Sequence, residues 1–138
     1  MEHTGATKAP YNFIDLFAGA GGLSEGFIQA GFSPIAHVEM NPYAAQTLET
    51  RTGYYYLKEQ GNLDIYFDYI KGKISRDEYL QNIPEELLKS VCCETMSDET
   101  LPGLFDTIDD ILTEKGIENV DVIIGGPPCQ AYSLVGRA

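Results

Sequence analysis

The amino-acid sequence predicts an α/β fold in which a mainly parallel sheet is flanked by helices. Short apolar segments at residues 13–17, 34–38 and 120–124 have the length and composition of buried strands. Each of the first two is followed by a segment with helical periodicity. Strands and helices that alternate in this order form a parallel sheet joined by right-handed crossovers.

The first strand, residues 13–17, runs into a glycine-rich turn at residues 18–22. An apolar stripe with helical spacing follows the turn and consists of Leu23, Phe27, Ile28 and Ala30. Gly31 occupies a position at which a glycine commonly ends a helix. The first unit is therefore predicted to be a strand, a glycine loop and a helix.

The second strand, residues 34–38, ends at Glu39 and precedes another helix. Asn41 is a favourable N-cap residue, and Pro42 is a favourable residue for a first helical turn. The apolar positions of this helix are Ala44, Ala45 and Leu48. A second strand and helix therefore extend the predicted parallel sheet.

Residues 53–100 contain a tyrosine cluster whose members are Tyr54, Tyr55, Tyr56, Tyr66, Tyr69 and Tyr79. Ser75 and Glu78 have the spacing of a capping box, and Pro84 indicates a second helix start. These signals predict one or two helices in the segment. Tyrosines can stack on nucleic-acid bases, but the interleaved acids favour a packing or partner surface.

The last segment leads to an isolated cysteine. A helical stripe made up of Leu104, Ile108, Ile111 and Leu112 is predicted to end at Gly116. The strand at residues 120–124 then opens into two glycines, Pro127, Pro128 and Cys129. The prolines stiffen the backbone and the glycines permit a bend, so the thiol can point into a pocket at the strand's carboxyl end. Cys129 is either a nucleophile or an inert residue.

The composition describes one acidic domain. The 138 residues include 9 Lys and Arg residues against 21 Asp and Glu residues, which gives a net charge of −12 with both histidines neutral. Because nucleic-acid-binding proteins normally have an excess of basic residues, composition alone argues against DNA binding. The sequence has neither a membrane-spanning apolar segment nor a signal-peptide pattern, so we expect a soluble, cytoplasmic protein with no membrane partner. The three cysteines fit neither a disulfide framework nor a metal site.

The glycine loop predicts a nucleotide-type pocket, because glycines after a parallel strand let a ligand approach the backbone and the next helix offers unpaired N–H groups. The dinucleotide fingerprint G-x-G-x-x-G is incomplete, since Ser24 takes the place of its third glycine. Glu39 lies 18 residues after Gly21, close to the interval of about 20 at which an acid binds a ribose. A ribose site without a pyrophosphate site indicates S-adenosylmethionine. The alternatives are a tight turn beside a solvated acid, and an NAD-dependent dehydrogenase.

Three segments resemble conserved blocks of the cytosine-5 DNA methyltransferases. Residues 15–22 read Asp-Leu-Phe-Ala-Gly-Ala-Gly-Gly, residues 38–41 read Val-Glu-Met-Asn, and residues 125–133 read Gly-Gly-Pro-Pro-Cys-Gln-Ala-Tyr-Ser. In this order they are similar to the family's first, second and fourth blocks, and the last of them is highly specific. With its flanks, the resemblance covers residues 12–52 and 119–138.

The resemblance implies a Rossmann-like fold that binds S-adenosylmethionine at the carboxyl edge of its sheet. Phe17 would pack on the adenine with Met40 near it, and Glu39 would hold the ribose hydroxyls. The loop from Gly19 to Gly22 would pass the methionine moiety. The full set of implied cofactor-binding residues is Phe17, Ala18, Gly19, Gly21, Gly22, Leu23, Glu39, Met40 and Pro128.

The implied activity is the transfer of a methyl group from S-adenosylmethionine to C5 of cytosine in DNA, as part of restriction–modification. Cys129 would be the nucleophile: its thiolate would add to C6 and make C5 reactive, after the base had left the duplex stack. Two alternatives stay open within this interpretation. The chain could be a non-catalytic module that binds S-adenosylmethionine or a partner chain, or a fragment of an RNA cytosine methyltransferase.

Parts that the resemblance requires are missing from the sequence. Residues 12–138 are therefore interpreted as an incomplete N-terminal portion of the catalytic domain, preceded by a flexible leader at residues 1–11 and containing an insertion at about residues 53–100. The glutamate of a Glu-Asn-Val block, an arginine-bearing block, a target-recognition region and a final helix should follow the cysteine. We expect a C-terminal region or a complementing polypeptide to supply them and to contact the DNA.

Two matches to the family's pattern are ambiguous. Residues 118–120 read Glu-Asn-Val but precede the cysteine, so they would lie at the wrong end of the strand and are interpreted as a coincidence. The acid of the third block, which would contact adenine, is either Asp64 or Glu94.

Overall fold

The structure, a computed structural model, describes residues 10–128. Its strands are β1 (Asn12–Leu16), β2 (Ser33–Val38), β3 (Val91–Cys92) and β4 (Val122–Gly125). Its helices are α1 (Gly22–Gln29), α2 (Pro42–Glu59), α3 (Leu63–Ile70), α4 (Arg76–Leu80), α5 (Glu85–Leu88) and α6 (Leu101–Lys115). The predicted α/β class is confirmed. Most of the predicted leader, residues 1–11, lies outside the described residues, and so does Cys129.

The strands form one parallel sheet in the order β3-β2-β1-β4, which confirms the predicted Rossmann-like arrangement. In the central strand β1, Leu16 lies opposite Val38 of β2 and Gly125 of β4. The chain places β2 and β3 on one side of β1 and then crosses to the other side for β4. In open α/β sheets, ligands bind where the loops diverge in this way, at the carboxyl ends of the strands.

Capping residues set two helix boundaries where the sequence predicts them. The Asn41 side chain caps α2 by accepting hydrogen bonds from the backbone N–H groups of Tyr43 and Ala44, at 2.9 and 3.1 Å. Helix α6 ends at Lys115, and its C-cap residue is Gly116, whose φ of 64° lies in the left-handed region. These boundaries depend on single local residues, so they are readable without tertiary information.

The predicted apolar stripe of α1 is wrong at two positions, since Ala30 is the exposed C-cap residue and Leu23 lies on the surface. That side chain is 50% exposed, whereas Ser24 is the buried residue of the helix. Ser24 faces the sheet, where its hydroxyl lies 2.6 Å from Nε2 of His37 on β2. The polar residue is buried because a polar partner on a neighbouring strand meets it.

Helices cover both faces of the sheet. Phe13 of β1 packs on Phe27 of α1 with ring centroids 5.4 Å apart, so α1 covers the face to which Phe13 points. The next residue along β1, Ile14, points to the opposite face and shares a core with Ile35 and Ile111 of α6. The sheet is therefore the middle of three layers.

Residues 53–100 contain more helices than the sequence predicts. The tyrosines at 54–56 belong to the second half of α2, and α3, α4 and α5 follow before β3. The predicted capping box at Ser75 and Glu78 is present and begins α4. The additional short helices surround a second core built on Leu57, Tyr79 and Ile83, in which Tyr79 stacks on Tyr69 at 4.6 Å. The tyrosine cluster is thus a packing surface.

None of the helices described between residues 10 and 128 has both the length and the apolar character that a membrane span requires.

Candidate functional site

The carboxyl edge of the sheet brings together segments that lie far apart in the sequence. The loop at residues 17–21 follows β1, Glu39 follows β2, Glu94 comes soon after β3, and Pro128 comes soon after β4. All four strands are parallel, so these segments leave the sheet at the same edge. Sequence motifs separated by more than a hundred residues therefore lie at one edge of the sheet.

The loop after β1 has an unusual backbone. Gly19 and Gly21 have φ values of 56° and 89°, and Phe17 has a φ of 55°, which is uncommon for a residue with a side chain. The Ala18 N–H group donates to the Val38 carbonyl at 3.0 Å, so the loop turns across the end of β2. Such strained residues cluster at ligand-binding sites.

Glu39 joins the loop to the end of β2. One carboxylate oxygen accepts a hydrogen bond from the Gly19 N–H group at 2.7 Å, and the other accepts one from the Asn41 N–H group at 2.8 Å. A carboxylate oxygen has two lone pairs, so each oxygen can accept a further hydrogen bond. Glu39 is therefore oriented by the backbone and still able to bind a hydroxyl group.

Of the two candidates for the third-block acid, only Glu94 lies at this edge. Its backbone N–H donates to the Glu39 carbonyl at 3.2 Å, and the Glu39 N–H donates to the Cys92 carbonyl at 3.0 Å. Asp64 instead lies in the first turn of α3, a helix of the second core. The pairing of β2 with β3 thus brings Glu94 beside Glu39.

Three of the predicted site residues form an exposed apolar rim at the same edge. Phe17 is 36% exposed, Leu23 is 50% exposed and Met40 is 65% exposed. Exposed apolar side chains that surround backbone and carboxylate polar groups are typical of sites for planar organic ligands.

The N-terminus of α1 opens onto the loop. Gly21 is its N-cap residue and Gly22 its first residue, and no side chain caps the helix. Its first N–H groups and the positive end of its dipole are therefore directed at the site, where they favour an anionic group.

The end of β4 approaches β1 closely. A Cβ atom added at Gly125 would lie 2.7 Å from the Leu16 carbonyl oxygen, so only glycine fits. Pro128 is exposed and is the last residue that the structure describes. The predicted nucleophile, Cys129, is the next residue in the sequence.

Buried polar groups beneath the loop were not predicted as site residues. Both carboxylate oxygens of Asp15 are buried without a hydrogen-bond partner among residues 10–128. Burial, together with the nearby Glu39 carboxylate, raises the pKa of Asp15 to about 6. On the neighbouring strand, burial and a smaller effect of Arg51 lower the pKa of His37 to about 4. The single acid in an otherwise apolar strand was the sequence signal for this feature.

Residues 118–120 lie at the opposite edge, as predicted. The Asn12 side chain, at the start of β1, donates to the Asn119 carbonyl at 3.0 Å and accepts from the Asp121 N–H at 2.8 Å. This Glu-Asn-Val triplet is therefore at the amino edge of the sheet, away from Glu39.

Comparisons with known proteins identify the family to which this chain belongs. The family profile described as C-5 cytosine-specific DNA methylase matches residues 11–106 and 91–138. The type II methyltransferase M.Bpa9945I of Bacillus paralicheniformis is 40% identical over 142 residues, which cover 91% of this chain and 32% of that protein. The type II methyltransferase M.DdeI of Desulfomicrobium norvegicum is 32% identical, with 91% of this chain and 20% of that protein covered.

A third relative, the type II methyltransferase M1.HphI of Haemophilus parahaemolyticus, is 30% identical, with 91% of this chain and 23% of that protein covered. The chain thus spans about a third of the first relative and less of the other two. No solved structure matches it significantly. The profile matches most of the sequence, and the chain belongs to the C-5 cytosine-specific DNA methylase family.

Proposed function

We propose that residues 12–138 are the N-terminal, cofactor-binding portion of an enzyme that transfers a methyl group from S-adenosylmethionine to C5 of cytosine in DNA. The observation that carries this proposal is the hydrogen bond from the Gly19 N–H group to Glu39, which unites the glycine loop and the predicted ribose acid in one site. The names of the relatives, type II methyltransferases, support a role in restriction–modification.

The residues at the carboxyl edge fit S-adenosylmethionine, which supplies an electrophilic methyl group when bound. Glu39 has acceptor capacity left for the two ribose hydroxyls. The apolar rim offers Phe17 and Met40 to the adenine, with Glu94 as the acid for its exocyclic amine. The other proposed cofactor contacts lie at or near the methionine moiety. They are Ala18, Gly19, Gly21, Gly22, Leu23 and Pro128.

Cys129 is the proposed nucleophile. Its thiolate Sγ forms a bond to C6 of cytosine, which moves electron density to C5 and makes that carbon the attacking atom. Transfer of the sulfonium methyl group to C5 would break its S–CH3 bond and leave a neutral thioether. Loss of the C5 proton to solvent would then restore the C5–C6 double bond, break the Sγ–C6 bond and release the Cys129 thiolate. The base must be flipped out of the duplex to reach such a residue.

The exposed surface of β4 supports the proposal that further chain completes the domain. Val-Ile-Ile-Gly is apolar on both faces, as expected of a central parallel strand, yet Ile123 is 64% exposed. Within residues 10–128, β4 pairs with β1 alone. We propose that a C-terminal region or a complementing polypeptide adds a strand here and supplies the DNA contacts, since a net charge of −12 disfavours DNA binding by this chain alone.

Calorimetric titration of the chain with S-adenosylmethionine tests the cofactor site. We expect Glu39→Gln to weaken binding at least about tenfold, because the remaining amide loses the charge-assisted hydrogen bonds to ribose. Asp109→Asn, the same change on the exposed surface of α6, is the control and should leave the affinity unchanged. Absence of binding by the parent chain would refute the proposal that this chain forms the cofactor site on its own.

Methylation of labelled DNA tests the nucleophile. The chain is mixed with a polypeptide that carries the remainder of M.Bpa9945I, and methyl incorporation is compared for Cys129→Ser and for Cys93→Ser, a change at an exposed cysteine. We expect incorporation to be lost only with Cys129→Ser. Equal incorporation by both variants would exclude Cys129 as the nucleophile, and no incorporation with any complement would favour a non-catalytic module.

A further inference from the structure

The glycine loop rests on a side chain of α2. A Cβ atom added at Gly21 would lie 3.0 Å from Nε of Arg51 and 3.0 Å from a methyl carbon of Leu48. Gly21 also has a left-handed φ of 89°, so the loop needs glycine here for both space and conformation. Arg51 is therefore in contact with the backbone immediately before α1.

Arg51 is itself held by the first turn of α1. Its guanidinium group forms an ion pair with Glu25, and the Tyr55 hydroxyl donates to the same carboxylate at 2.6 Å. The hydrogen bond from Tyr55, aided by Gln29 and Arg51, lowers the pKa of Glu25 despite its partial burial. Glu25, Arg51 and Tyr55 thus form a link between α1 and α2, which we term the α1–α2 link.

Apolar packing between these two helices is interrupted. A pocket of about 490 Å³ that opens to solvent is lined by Ile28 of α1 and Thr52 of α2, and also by residues of β2 and α5. Side chains that line an open pocket make fewer van der Waals contacts with the facing helix than close-packed side chains do. The start of α1 therefore depends more on the α1–α2 link than it would if the two helices were closely packed.

We propose that Arg51 is a positioning residue for the proposed cofactor site: with Glu25 and Tyr55, it holds Gly21 and the first turn of α1 in the conformation that receives the amino-acid end of S-adenosylmethionine. This inference rests on the proposed function for the identity of the ligand. The position of the loop can nevertheless be measured without a ligand.

Cofactor affinity gives the first test. Arg51→Gln is compared with Arg76→Gln, which removes a matched ion pair between α4 and Glu49 of α2 that is as well buried as the link. We expect Arg51→Gln to bind S-adenosylmethionine about tenfold more weakly and Arg76→Gln to bind within about twofold of the parent chain, with similar losses of melting temperature in both. Arg51→Lys keeps the charge but not the planar fork, and should recover part of the affinity.

Amide hydrogen exchange in the cofactor-free chain separates this inference from the proposed function. We expect Arg51→Gln to speed exchange at Gly19 and Gly21, whose N–H groups are hydrogen-bonded in the loop, and Arg76→Gln to leave both unchanged. Unchanged exchange in Arg51→Gln, or equal acceleration by both variants, would overturn the positioning role even if the parent chain binds the cofactor. Tyr55→Phe removes only a hydroxyl group and provides the same comparison if Arg51→Gln does not fold.

Discussion

The two faces of the sheet are buried to a similar degree but differ in chemistry. Under α6, the core consists of Ile14, Ile35, Ala36 and Ile111 and is apolar. Under α1, the same two central strands bury Asp15 and His37 side by side, with Ser24 above His37. The face under α6 can therefore contribute stability through apolar burial alone, whereas the face under α1 holds polar groups next to the carboxyl edge at a cost in stability.

That cost follows from the hydrogen bonds. A buried polar group without a partner loses its hydration and gains nothing in return, a penalty of about 1–3 kcal/mol. Asp15 has no partner at either carboxylate oxygen, and His37 has none at Nδ1, among residues 10–128. Unpaired buried groups beside a candidate site are typical of proteins in which function limits stability.

The largest expected effect lies on the apolar face. Ile111→Ala should lower the free energy of unfolding by roughly 2–5 kcal/mol, because it leaves a cavity among side chains that are otherwise close-packed. Urea denaturation of the chain measures the change. Phe105→Ala, on an exposed position of the same helix, is the control and should cost well under half as much. Equal losses would mean that the face under α6 is not the main source of stability.

An intermediate effect of opposite sign is expected on the polar face. Asp15→Asn should raise the free energy of unfolding at pH 7 by up to about 3 kcal/mol, because the native carboxylate, with a pKa raised from 3.8 to about 6, must be ionised in a buried position. The native state binds the Asp15 proton more tightly than the unfolded state does. The penalty is therefore fully present above about pH 6 and absent below about pH 4.

Denaturation curves at several pH values check both the size and the sign of this effect. The gain from Asp15→Asn should fade as the pH falls from 6 to 4. His37, whose pKa is lowered from 6.5 to about 4, makes both proteins lose stability over nearly the same range, so the difference between them isolates Asp15. A loss of stability in Asp15→Asn at pH 7 would show that the carboxylate has a stabilising partner.

Sequence patterns predicted the elements whose limits depend on local residues. Asn41 and Gly116 set helix ends by capping, and the glycine loop and Glu39 were assigned to one pocket from spacing alone. The candidates Asp64 and Glu94 could not be separated, because the choice depends on pairing of the two-residue strand β3 with β2, for which the sequence has no periodic signal. A helix cap can be recognised from one or two neighbouring residues, whereas a contact between short segments that are distant in the chain has no recognisable sequence pattern.

The same limit explains the helices of residues 53–100 and the misassigned face of α1. The starts of α4 and α5 were predicted, from the capping box at Ser75 and from Pro84, whereas α3 and the second half of α2 were not. The apolar side chains of these two unpredicted segments pack on the second core around Tyr79 rather than on the sheet, and the sequence does not show that contact. On α1, the apolar spacing placed Leu23 in the buried stripe and gave no reason to bury Ser24. The structure reverses this, because the Ser24 hydroxyl meets His37 on the neighbouring strand.

The smallest expected effect tests that reversal. Ser24→Ala should lower the free energy of unfolding by about 1 kcal/mol, since it removes the hydrogen bond to Nε2 and leaves His37 without a partner. Thr47→Ala, which removes an exposed hydroxyl bonded within α2, should cost less than half of that. Ser24→Gly completes the dinucleotide fingerprint but should cost about 1 kcal/mol more than alanine, because glycine is unfavourable inside a helix. The outcome that would contradict this is a Ser24→Gly variant that is more stable than Ser24→Ala and binds NAD. Position 24 would then contact a phosphate group rather than support His37 of β2.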